Sequence, residues 1–154
     1  MKEYTFKRFK ITINDNDNCS VSFSPLEDDG EAFNPGRRKI YIVSYGKKIL
    51  YVGETKRSIK ARLRNSKKYG HKFFDKNINR HRKLILSVAV FENNYDDNKE
   101  FIEAIEAEIV YLVRTKLNCW PTFQNEIHFN NVNANDARKK AKYIYEDLKF
   151  AITH

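Results

Sequence analysis

The sequence predicts an α+β fold: a small mixed β-sheet flanked by helices, with an N-terminal strand extension and a C-terminal helix. Three observations predict it. "KIYIVSY" and "ILYVG" are β-rich runs joined by the short stretch "GKK", which reads as a β-hairpin. "KLILSVAVF" is an apolar run bounded by charges, as a buried strand would be. "KEFIEAIEAEIVYLVRTKL" carries apolar residues at helical spacing. The order strand, strand, helix, strand, helix makes one sheet with helices packed on it.

The elements follow in order. "YTFKRFKITI" and "CSVSFSPL" alternate partially and predict one or two strands. "EDDGEAFNPGRRK" is a loop, marked by its glycines, its proline and its polarity. In the hairpin, Ile40 and Ile42 belong to one face and Tyr41, Val43 and Tyr45 to the other. Ser58 is placed to cap the next helix, with Ile59 and Leu63 packing inward. "KYGHKFFDKNINRHR" is ambiguous. "NCWPTFQNEIHFNNVN" is irregular; Trp120 and Phe123 read there as apolar anchors of the loop, with stacking on nucleic-acid bases as the alternative. The last helix shows Ala137, Ala141, Ile144, Leu148 and Ile152 at spacings of three and four. One domain over 1–154 is expected, with a core at 38–118, an extension at 1–37 and a loop and helix at 119–154.

Composition bounds the function. Hydrophobic residues at 41% and aromatics at 14% argue against disorder. No apolar run reaches the ~18 residues of a membrane span, so a cytoplasmic protein with no membrane partner is expected. Cys19 and Cys119 are the only cysteines and form no CxxC pair, which argues against a disulfide framework or a cysteine-rich zinc site. The net charge is +9, and the stretch 36–83 holds 17 Lys and Arg against two acids, leaving the remainder negative. Such asymmetry is the electrostatic footprint of a polyanion. The cations in view are Lys47, Lys48, Lys56, Arg57, Arg62, Arg64, Lys67 and Lys68.

One acid sits where an acid is costly. At about 100° per residue, Ile102, Ile109, Val110, Val113 and Leu117 fall within about 60° of Glu106. Glu106 is thus central to the apolar stripe, whereas Glu108 falls on the far side, in solvent. A buried carboxylate costs several kcal/mol unless a cation or metal compensates it. Metal ligand, general acid and structural ion-pair partner are all open readings for Glu106.

These segments together resemble the GIY-YIG nuclease family. The resemblance is carried by "KIYIVSY", "YVGET", "ARL" and the helix around Glu106, over roughly 38–118. Nine residues separate the two motif tyrosines, Tyr41 and Tyr51, and Arg62 follows eleven positions after Tyr51. "EAEIV" from Glu106 approximates the family's metal-binding pattern, and Asn118 stands about where the family often has an asparagine, with Asn125 competing. Lys39 replaces the first motif's glycine, and Ser66 stands where several members have a His or Tyr. The resemblance implies a metal-dependent endonuclease hydrolysing DNA; the compact size of the chain, by itself, suits a restriction- or defence-like member. RNA is the alternative substrate, and a homodimer is compatible with the chain. It implies Tyr41 as general base, with Lys47 or Lys48 as a cation that could depress its pKa. Tyr51 would orient water or phosphate, Arg62 would hold the scissile phosphate, and Glu106 would bind Mg²⁺ or another divalent cation such as Mn²⁺. Asn118 would position substrate or the backbone. The competing reading is a catalytically silent nucleic-acid-binding module using the basic stretch 36–83.

Overall fold

A computed structural model describes residues 3–13, 21–24, 35–59, 61–62, 84–122, 124, 127, 129 and 133–153. Arg64, Lys67 and Lys68, like Leu63, Ser66, Phe123 and Asn125, lie outside the described residues.

Among the described residues five strands form one sheet: β1 (Tyr4–Ile13), β2 (Val21–Ser24), β3 (Lys39–Tyr45), β4 (Lys48–Thr55) and β5 (Leu84–Phe91). Their spatial order is β2-β1-β5-β3-β4. Two long helices follow, α1 (Lys99–Leu117) and α2 (Ala134–Thr153). The class is α+β, as the sequence predicts, but the expected mixed sheet is a correction: all four described pairings are antiparallel. The reason is where β5 goes. It returns beside β3, not beside its predecessor β4, and runs against β3 on one side and β1 on the other. The N-terminal segment is therefore built into the sheet, between β2 and β5.

Period-two alternation divides the apolar residues between two faces. Ile40, Ile42, Val52, Ala89 and Phe91 face α1 and α2 in one cluster. Tyr41, Val43, Leu50, Leu86 and Val88 form the second cluster with Ile59. Gly46 takes a left-handed φ of 57° in the two-residue hairpin turn. A bulge at Val43/Ser44 makes Leu50 an extra residue, so Val43 pairs with Tyr51 and Ser44 with Ile49. This slip puts both Leu50 and Tyr51 with the Tyr41 cluster.

Helix α1 buries Ile102, Ile105, Ile109, Val110 and Val113. Two wheel positions need correction. Leu117 is exposed, because the helix ends there and Asn118 turns left-handed with φ 56°. Glu108 is not solvated: its side chain is 14% exposed and takes a 3.3 Å ion pair from Arg138 of α2. A single-helix wheel cannot show that a second helix packs on α1. Among the described residues, no helix is long and apolar enough to cross a membrane.

Candidate active site

Among the described residues β4 is an edge of the sheet, so alternate N–H and C=O groups along it face outward without a described strand partner. Each end of that row is covered by a different device. The Thr122 N–H donates to the Ile49 carbonyl at 3.0 Å. The Gln124 side-chain amide acts as a substitute peptide. It accepts from the Val52 N–H at 2.8 Å and donates to the Val52 carbonyl at 2.7 Å. Two residues on, the Glu54 N–H donates to the Glu106 carboxyl. An acid inside the apolar stripe of α1 therefore lands on an unpaired backbone donor.

Gly53 separates two halves of the site. Tyr41 pairs with Gly53 across the β3–β4 ladder, and Tyr51 is its diagonal neighbour. Their rings lie 5.9 Å apart, tilted by 30°. A Cβ on Gly53 would stand 2.5 Å from Tyr41 Cζ, 2.6 Å from its hydroxyl and 2.7 Å from Tyr51 Cε1. Only a residue with no side chain lets both rings lie over the strand.

Arg62 comes to the tyrosines from a helical turn. Ser58 caps that turn as expected: the Ala61 N–H donates to Ser58 Oγ at 3.1 Å and the Arg62 N–H to its carbonyl at 3.0 Å. Buried Ile59 fastens the turn to the sheet. Arg62 Nε then donates to Tyr41 Oη at 3.3 Å, and the guanidinium also bonds Tyr51. The two tyrosine hydroxyls share a hydrogen bond as well.

The electrostatics follow from burial. Burial, then the carboxylates of Glu54 and Glu103, push the Glu106 carboxyl up to about 8, while Arg62 and the Glu54 N–H pull it back. Burial also raises the Tyr41 phenol above its ordinary value; Tyr51 adds to this, and the Arg62 cation opposes it. Tyr51 is raised too, by burial and then by Glu106. The cation beside Tyr41 is thus Arg62 and not Lys47 or Lys48. Those two are exposed at the hairpin turn, about 13 Å along the strand from Tyr41.

Tyr41, Tyr51, Arg62 and Glu106 are therefore brought together. Asn118 is not: it lies about 18 Å from Glu106 along the axis of α1, exposed, as the left-handed cap of the helix. Lys56 pairs with Asp97 at 3.4 Å, and Arg57 is exposed beside it. Lys39, in place of a motif glycine, is buried on the Tyr41 face. Its ammonium donates to the Arg37 and Arg57 carbonyls at 2.8 and 3.1 Å, tying the loop before β3 to the one that leads into Ser58.

Sequence reasoning missed Glu54, Arg38 and Gln124. Arg38 bridges Glu54 at 3.4 Å and the Asp96 carbonyl at 3.2 Å. Glu54 was findable: it is one of only two acids in the basic stretch 36–83 and directly follows Gly53. Gln124 carries no signal in an irregular segment. Trp120 packs against the core and lies under Arg114, 4.4 Å from the guanidinium, as a loop anchor would.

Among the described residues, no three His, Cys, Asp or Glu side chains gather closely enough to hold a metal ion by themselves. Glu106 still fits a hard divalent cation, because Mg²⁺ takes one or two carboxylates and fills its shell with water and phosphate oxygens. Excess negative potential at Glu106 is what such a cation relieves. Compared with known proteins, the chain matches no family model, no curated protein and no solved structure.

Proposed function

We propose that this chain is a metal-dependent endonuclease of GIY-YIG type, hydrolysing DNA phosphodiester bonds at the β4 edge. One observation carries the reading: Tyr41, Tyr51, Arg62 and Glu106, chosen as a set from sequence, converge from β3, β4, a helical turn and α1. Arg62 offers a planar fork to the scissile phosphate, the geometry best suited to two phosphoryl oxygens. Tyr41 accepts a hydrogen bond from Arg62 and, once deprotonated to the phenolate with its own proton released to solvent, would receive the proton of the attacking water. Tyr51, less buried than Tyr41, contacts the water or the phosphate. Glu106 holds the divalent cation, with Glu54 beside it and anchored by Arg38. A bound Mg²⁺ supplies positive charge that stabilises the phosphoryl oxygens and makes nearby hydroxyls and water more acidic. The raised phenol of Tyr41 makes that added charge a requirement, since a tyrosine at or above its usual value of about 10 is a poor base at neutral pH. Lys47, Lys48, Lys56, Arg57 and the cations beyond Arg62 bind the flanking backbone.

The same burial of Tyr41 favours the second reading, a catalytically silent nucleic-acid-binding module. Incubation with supercoiled plasmid separates them. Nicking with Mg²⁺ that stops with chelator supports the enzyme. Binding without cleavage across DNA and RNA substrates supports the module.

A further inference from the structure

A second feature lies at the other end of α1. The last turns of the helix and the loop after it line a cleft of about 490 Å³ with Tyr111, Arg114, Thr115, Asn118, Cys119 and Trp120. Tyr111 is 47% exposed and Phe129 54%, the two rings meeting edge to face at 6.2 Å. Arg114 lies over Trp120, and neither Arg114 nor Lys116 makes an ion pair among the described residues. No described lining residue is acidic. The helix C-terminus itself carries partial negative charge, which two cations more than offset.

We propose that this cleft stacks an unpaired nucleobase of the bound nucleic acid, outside the Tyr41–Arg62–Glu106 cluster. The proposal rests on the nucleic-acid reading above, but not on cleavage. Exposed rings flanked by cations are what single-strand binding uses: the base stacks and the adjacent phosphates meet Arg or Lys. An acidic or apolar protein partner fits less well. Among the described residues the exposed rings here are a single edge-to-face pair, Tyr111 and Phe129, which suits one flat base more than a broad apolar contact. Position supports a strand as occupant. The cleft spans about 8 to 18 Å along the α1 axis from Glu106, or about two to five steps of a stacked strand. The bond from Thr122 to Ile49 brings this loop to the hairpin end of β4, where Lys47 and Lys48 are exposed. A strand running along β4 would thus meet cations at one end and Arg62 and Glu106 at the other. The substrate class so implied has an unpaired or flipped base near the cut.

The test compares a short oligo(dT) strand with an abasic strand of equal length, which has the same phosphates and no bases. Wild type should bind oligo(dT) tighter by about five- to a hundredfold. Tyr111→Ala and Phe129→Ala should shrink that preference while melting like wild type, and Tyr111→Phe, which keeps the ring, should retain it. Equal binding of the two strands by wild type, or full preference in both alanine variants, overturns the proposal. Plasmid cleavage by wild type is read alongside. Cleavage without base preference defeats this site alone. A ring-dependent preference without cleavage defeats the hydrolytic reading and leaves this site standing.

Discussion

Arg62 Nε donates to Tyr41 Oη at 3.3 Å, across 21 positions of sequence. The contact joins a helical turn to the centre of a strand. It depends on three local devices: the Ser58 cap that starts the turn, Ile59 that seats it, and Gly53 that leaves room for the ring. Each device can be broken separately.

Gly53→Ala should be among the more damaging small substitutions. The new Cβ meets both rings inside 3 Å, and Tyr41 is fully buried and cannot swing away. Overpacking of this kind costs about 1–3 kcal/mol. Thermal melts should show the loss, and cleavage should fall further than stability because Arg62 loses its partner's position. A variant with wild-type melting temperature and rate would mean that the rings are not confined as described.

Tyr41→Phe should keep the fold, with a loss of about 0.5–1.5 kcal/mol for the missing hydrogen bond to Arg62. DNA binding should survive and turnover at saturating DNA should drop by about a hundredfold or more, the usual contribution of a general base. Turnover within about twofold of wild type would remove Tyr41 from proton transfer.

Glu106 gives a pH prediction. Its folded-state carboxyl titrates near 8, against an ordinary value of 4.5. Between those pH values the folded state holds a proton that the unfolded state has released. Stability from this group is therefore lost as pH rises from 4.5 towards 8. Glu106→Gln has no such titration. Its melting temperature should match wild type near pH 5 and exceed it by several degrees at pH 8, and Mg²⁺ should raise wild type alone. A constant difference across pH, or a large loss in the mutant, would make Glu106 a structural ion-pair partner instead. Glu108→Gln is not a neutral comparison, since Glu108 pairs with Arg138; a loss of up to about 1 kcal/mol is expected there.

DNA affinity should fall steeply with salt. If the basic stretch 36–83 neutralises about five phosphates, log K against log salt should have a slope of roughly −4 to −5. A flat titration would exclude that stretch as the binding face.

Much of this arrangement is legible before any coordinates. The hairpin alternation of Ile40, Tyr41, Ile42 and Val43, the Ser58 cap and the stripe of α1 are local patterns, and the structure keeps them. What depends on distant partners is not legible. The antiparallel order follows from β5 choosing β3 and β1 as neighbours, which no local period encodes. Glu108 is shielded by a helix some thirty positions on. Glu54 and Gln124 matter because β4 is an edge, and a strand's sequence does not state whether it has a neighbour.

The central claim is that the Tyr41–Arg62–Glu106 cluster hydrolyses phosphodiester bonds. The most direct measurement is single-turnover cleavage of supercoiled plasmid by wild type, Arg62→Ala and Glu106→Gln, each with Mg²⁺ and with chelator. Wild type should cut only with Mg²⁺, and both folded variants should lose about a hundredfold or more. A wild type inert under all conditions, or variants that cut at its rate, would contradict the claim.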